Sequence, residues 1–386
     1  MRELNKNVTQ FKESVFATLS RLANENQAIN LAQGFPDFDG PQWVIDLLGK
    51  SARGSANQYA PLEGDISLRK VILEHFKDKR GLEYDTQKEI TITHGATEAI
   101  FCSILALVNP GDEVIIFEPF YDSYLAAIQL AGGVPVPITL KGPGFTFDID
   151  ELEKSFSQKT KLILFNHPHN PTGRVFNDSE ITQITSLTCK YDSYLLCDEV
   201  YEYLVYDHQT FKSLAQYPGM RDRTITISSI GKTFGLTGWK VGWAIASEDL
   251  SFAIRKVHQF TTFCAHHPTQ KAAAQAYENL DDYLPTFIRT YQEKRDLFVQ
   301  GLKSCGLNPV IPEGTYFVMC PIPDHYNLVA QAFSMELIKK AKVATIPPES
   351  FYINQHFGER YLRFCFAKKE ETLKKSISRL KDYFNH

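Results

Sequence analysis

The chain has 386 residues, 43% of them hydrophobic and 12% aromatic, enough to bury one large core or two. Its formal net charge of -4 is small and its basic residues are scattered, which argues against nucleic acid or a membrane surface as the main partner and leaves small molecules. The seven cysteines, at 102, 189, 197, 264, 305, 320 and 365, are odd in number and form no CxxC pair, which predicts reduced, mostly buried thiols and no metal site.

The opening MRELNKNVTQFKESVF lacks the apolar run of a secretory signal, and no later stretch stays apolar for the length a bilayer demands, so a cytoplasmic location is expected. Residues 1–40 read as an N-terminal arm. From about residue 88, β-rich runs alternate with helical patterns: EITIT then TEAIFCSILALVN, EVIIFEP then YDSYLAAIQLAGG, and on through KLILFNHP, YLLCDEVY, TITISS and VGWAIA. That rhythm predicts an α/β domain over 41–280 built on a largely parallel sheet. The amphipathic stretch from residue 281 to 305 opens a smaller α+β unit, 281–386, with GTYFVMCPI and RYLRFCFA as strands. The arm is expected to pack on this smaller unit.

Five segments fall at predicted strand ends or in strands where a polar residue needs a reason. In HGATEAI (94–100), Gly95, Ala96 and Thr97 form a turn into a helix, whose free N–H groups and dipole suit a phosphate; Thr97 capping the helix is the competing reading. In NHPHNPTG (166–173), two prolines hold Asn170 outside regular structure, beyond what an ordinary Asx-Pro turn requires. LLCDEVYEYL (195–204) ends an apolar strand on Asp198, a carboxylate that needs either a partner or a helix to cap, and offers the Tyr201 phenol from the same turn. In SSIGKTFGLTGWKVG (228–242), Lys232 lies just past a strand, where side chains line ligand crevices. In YLRFCFA (361–367), Arg363 interrupts an apolar strand, either as one half of a structural ion pair or as a grip for a ligand carboxylate.

An amine able to form a Schiff base, a carboxylate to keep a pyridine nitrogen protonated and a phosphate cradle together meet the needs of pyridoxal 5'-phosphate (PLP). NHPHNPTG, CDEVYEYL, SSIGKTFGLTGWKVG and LRFCFA resemble, in order and spacing, the class I PLP-dependent aminotransferases over nearly the whole chain. QGFPDFDGP (33–41), NQYAPLEG (57–64) and RFCFAKKE look most like the bacterial methionine aminotransferase branch, close to the kynurenine and glutamine K transaminases.

The resemblance implies fold type I, with a mostly parallel seven-stranded sheet, and a homodimer with shared active sites. Lys232 would carry the cofactor and act as general acid/base, Asp198 would pair with the pyridine nitrogen, and Tyr201 and Asn170 would bond its phenolic oxygen. Tyr121 would stack on the ring. Gly95, Ala96, Thr97, Ser229 and Lys240 would hold the phosphate, with Tyr59 reaching in from the second subunit. Lys240 stands where many relatives carry arginine, which turns a bidentate clamp into a point charge.

Arg363 would bind the substrate α-carboxylate, aided by Asn170 and the Gly34 backbone. Relatives acting on aspartate add an arginine near the stretch 259–270, which here contains none, although His266 and His267 lie in it. Phe16, Phe35 and residues near Phe263 are expected to wall the side-chain pocket. The implied reaction moves the amino group of an apolar, sulfur-containing or aromatic L-amino acid, methionine foremost, to a 2-oxo acid by a ping-pong route. Rival readings are a kynurenine or glutamine K transaminase, a cysteine-conjugate β-lyase on the same fold, and a non-catalytic PLP-binding regulator; about thirty residues before QGFPDF leave that last one no room for a DNA-reading module.

Overall fold

The computed structural model describes residues 2–9, 11 and 13–385. In chain order its strands are β1 (Ile29–Asn30), β2 (Ile90–Thr93), β3 (Glu113–Glu118), β4 (Val134–Thr139), β5 (Thr160–Asn166), β6 (Tyr194–Asp198), β7 (Thr224–Ser229), β8 (Gly242–Ile245), β9 (Phe317–Pro321), β10 (Val343–Ala344) and β11 (Tyr361–Cys365). Seven of them form one sheet in the order β2-β8-β7-β6-β5-β3-β4. Its strands run parallel except β8, which is antiparallel to both neighbours.

The central strands are apolar throughout because both faces are covered. Val114, Ile116, Leu162, Leu164 and Leu196 point into one core with helices Gly95–Leu107 and Glu248–Thr261. Their alternating neighbours Ile115, Phe117, Ile163, Phe165, Leu195 and Cys197 point into the opposite core, with helix Asp178–Lys190. This period of two is the pleat. The chain leaves β3 toward β4 at one edge and returns beside β3 as β5 before continuing to β6 and β7, so the loops beyond the strand ends diverge and open a crevice.

β9 and β11 pair antiparallel, with Arg363 opposite Met319. Helix Val15–Glu25, capped by the Ser14 hydroxyl, buries Leu19 and Ala23 against Ile338, Ala344, Ile346 and Phe351. β1 pairs parallel with β10, and Leu31 O then accepts from Cys365 N at 2.8 Å, which carries the arm to the edge of β11. No helix among the described residues is long and apolar enough to cross a membrane. All seven cysteines are free thiols.

Candidate active site

The ends of β5, β6 and β7 lie side by side at the crevice. Asn166 is in register with Asp198, and its side chain donates to Asp198 O at 2.8 Å while accepting from Asn170 N at 2.6 Å. Asn166 thereby sets the path of the NHPHNPTG loop. Asp198 caps no helix: its Oδ2 accepts from the Tyr124 hydroxyl at 2.6 Å and its Oδ1 from Val200 N at 3.2 Å. Burial pushes its carboxyl above the usual carboxylate range.

Lys232 occupies a one-turn helix, Ile230–Thr233, directly after β7. Its Nζ donates to the Tyr316 hydroxyl at 3.0 Å. Burial brings its pKa down to about 8, against the opposing pull of Asp198, so the amine gives up its proton far more readily than a surface lysine.

His94, not Thr97, is the residue before the helix Gly95–Leu107; Thr97 is its third residue and lines the crevice. Gly95 has φ of +76°, and a Cβ there would sit 3.2 Å from Lys240 Nζ. A Cβ on Gly242 would fall 2.5 Å from Ala96 N. The absence of side chains thus keeps a backbone concavity open beside a lysine, at the positive end of a helix.

Arg363 is fully buried on β11, donating Nη1 to Asn170 Oδ1 at 3.0 Å and Nη2 to Ala32 O at 2.9 Å. The rings of Phe317, Phe351 and Phe16 surround its guanidinium at 4.1, 5.2 and 5.4 Å. Its Nε has no partner, and it forms no ion pair with a carboxylate of the described residues. Burial lowers its pKa to about 10, still charged at neutral pH.

These groups share one cavity of about 380 Å³. Lys232, Asp198, Tyr201 and Ser229 line it together with the Gly95-Ala96-Thr97 turn and Lys240. Asn170, Arg363 and Gly34 line it too, and Phe16, Phe35 and Tyr121 complete the predicted set. Tyr59 does not line it: its side chain is 81% exposed and packs edge-on against Phe263 at 5.5 Å, beside a second depression that includes His266 and His267. The expected wall near Phe263 is therefore replaced within this chain by Phe317 and Tyr121. His267 is held by Gln58 O at 3.0 Å and Asp65 Oδ2 at 3.1 Å, and His266 bonds Thr269 Oγ1 at 2.5 Å.

Sequence reasoning missed Tyr124, Asn166 and Tyr316. Asn166 was visible as the first residue of NHPHNPTG; the two tyrosines carry no local signal. One cluster of potential metal ligands, Glu98, Cys102 and His258, lies within 4.8 Å. Its polar atoms are already paired: Glu98 accepts from His94 N and the Thr262 hydroxyl and bonds His258 Nδ1, and His258 Nε2 bonds Leu62 O at 3.1 Å. Against the upward push of burial, those hydrogen bonds hold the Glu98 carboxyl down at about 2.

The profile of the family described as aminotransferase class I and II matches residues 26–380. The chain belongs to that family. This aminotransferase is 38% identical over 372 residues to the methionine aminotransferase of Escherichia coli K12, covering 96% of each chain. It is 37% identical over 414 residues to the kynurenine–oxoglutarate transaminase of Dictyostelium discoideum, covering 97% of this chain and 95% of that one. The crystal structure of the Escherichia coli methionine aminotransferase superposes with a TM-score of 0.95 at 37% identity, over 99% of this chain and 100% of that one. Class I aminotransferases are PLP-dependent enzymes of fold type I, and the mainly parallel seven-stranded sheet is theirs. The residues present fit the cofactor: a buried amine of low pKa, a buried carboxylate and a glycine-lined concavity beside a lysine border the same space.

Proposed function

We propose that the aminotransferase takes its amino group from apolar, sulfur-containing or aromatic L-amino acids, methionine foremost, and passes it to a 2-oxo acid. The observation that carries this is Arg363, a buried cation with a free Nε and no carboxylate of its own, set among aromatic rings. It suits an α-carboxylate, with an apolar side chain lying against Phe16, Phe35 and Phe317. The similarity to methionine and kynurenine transaminases supports the same substrate class.

Pyridoxal phosphate, when bound, supplies an aldehyde that captures amino nitrogen and a ring that accepts the electrons left when Cα loses its proton. In this reading Lys232 anchors the cofactor and carries the proton to and from Cα, its lowered pKa placing a neutral amine within reach of physiological pH. Asp198 keeps the pyridine nitrogen protonated, with Tyr124 and Val200 N fixing the carboxylate. Tyr201 and Asn170 would hold the phenolic oxygen, and Tyr121, which lines the same cavity, would flank the ring. The Gly95-Ala96-Thr97 turn, Ser229 and Lys240 receive the phosphate. Arg363, with Asn170 and the Gly34 backbone, receives the carboxylate.

The exposure of Tyr59 supports a homodimer in which that ring completes the neighbour's phosphate site. Within each subunit we assign 1–40 to an arm, 41–280 to the large domain and 281–386 to the small one.

A donor carboxylate on the side chain would have to be buried without a dedicated cation, at a discrimination on the order of a hundredfold or more. Measuring kcat/KM for methionine and aspartate with one shared acceptor at pH 6 and pH 8 tests this. Methionine should win at both; aspartate equal or better at both pH values would overturn the reading.

A further inference from the structure

Four consecutive carbonyls of the arm, at 32–35, are each taken by a buried side chain. Arg363 Nη2 donates to Ala32 O at 2.9 Å, Lys368 Nζ to Phe35 O at 2.6 Å and Gln33 O at 3.4 Å, and the Tyr316 hydroxyl to Gly34 O at 2.7 Å. The same hydroxyl accepts from Lys232 Nζ at 3.0 Å. A phenol has one proton, and this one is directed at Gly34, so toward Lys232 Tyr316 is an acceptor only. Burial keeps it a phenol by raising its pKa well above 10.0. Nor can the ring swing away: it is buried edge-on to Tyr201 at 5.2 Å and to Phe317 at 4.8 Å, and stacks on Tyr291 at 6.1 Å.

We infer that Tyr316 is a positioning residue for the reaction, fixing the direction of the Lys232 amine and tying it to the Gly34 wall of the substrate cavity. The inference rests on the transaminase reading of Lys232. An amine that carries a proton must present its lone pair and its N–H bonds in set directions, yet a four-carbon stem leaves them free to rotate. An acceptor fixed at 3.0 Å removes that freedom by engaging one N–H. The Gly34 carbonyl holds the acceptor in turn by taking its one proton, so the hydroxyl presents a lone pair to the lysine. Lys368 grips the neighbouring carbonyls without touching Lys232, which supplies a control. The other charged and titratable groups facing Lys232, namely Asp198, Tyr201, Cys365, Lys240 and Arg363, remain intact in both variants below.

The test compares Tyr316→Phe with Lys368→Met in the cofactor-loaded protein. Tyr316→Phe removes one oxygen and keeps every ring contact. It is expected to lower kcat for methionine about 10- to 100-fold, with KM within about threefold. The pH midpoint of the bound cofactor's visible absorbance should fall by about one unit, because an acceptor that favours the protonated nitrogen has gone. Lys368→Met should instead raise KM and leave the midpoint in place. A Tyr316→Phe enzyme that raises KM while keeping kcat and the midpoint would overturn the inference, since Tyr316 would then act on the wall alone. Activity surviving in Lys232→Ala would sink the underlying assignment of Lys232, a separate outcome.

Discussion

The cavity has two halves built on different principles. One half stands on the sheet: Asn166, Asp198 and Ser229 end strands buried on both faces, and Lys232 follows within one helical turn. The three strand ends are placed by ladder pairing with their neighbours. The other half comes from outside the sheet: Phe16 from the arm helix and Gly34 and Phe35 from the segment after β1. Phe35 is 46% exposed, and its position depends on side chains gripping its backbone. Proton chemistry tolerates little displacement and sits on the rigid edge, whereas side-chain recognition comes from arm segments tied to that edge through Tyr316 and the Gly34 carbonyl.

That contrast can be broken by substitution on either half. The largest effect is expected on the sheet side, where Lys232→Ala should cut kcat on the order of 10⁴-fold or more while circular dichroism stays native, because it removes anchor and proton carrier together. Borohydride reduction and peptide mapping should place the cofactor on Lys232; a label on Lys240 would reverse the assignment of the two lysines. Asp198→Ala comes next, with kcat down about 10²- to 10³-fold and Asp198→Glu less affected. Near-normal turnover in the alanine variant would mean that the buried carboxylate serves only Tyr124 and Val200. The smallest effect belongs to the rim: Phe35→Ala should raise KM for methionine about fivefold, roughly 1 kcal/mol of lost apolar contact, with kcat within about twofold. A kcat loss there as deep as that of Asp198→Ala would erase the distinction between the halves.

The sequence by itself determined the sheet and its edge. Strands covered on both faces read as apolar runs, and the polar residue that ends each run is local to it, so Asp198, Lys232, Asn170 and the Gly95 turn could be placed before any contact was known. Arg363 was legible for the same reason, as one charge inside an apolar strand. The tertiary structure alone decided what those residues touch. Tyr124 meets Asp198 across 74 positions, Tyr316 meets Lys232 across 84, and Tyr316 meets Gly34 across 282. It also turned Phe263 toward Tyr59 and supplied Phe317 to the cavity instead. The physical reason is that strand burial and turn chemistry write themselves into neighbouring residues, whereas the choice among many buried tyrosines and phenylalanines depends on how helices and strands far apart in the chain pack against one another.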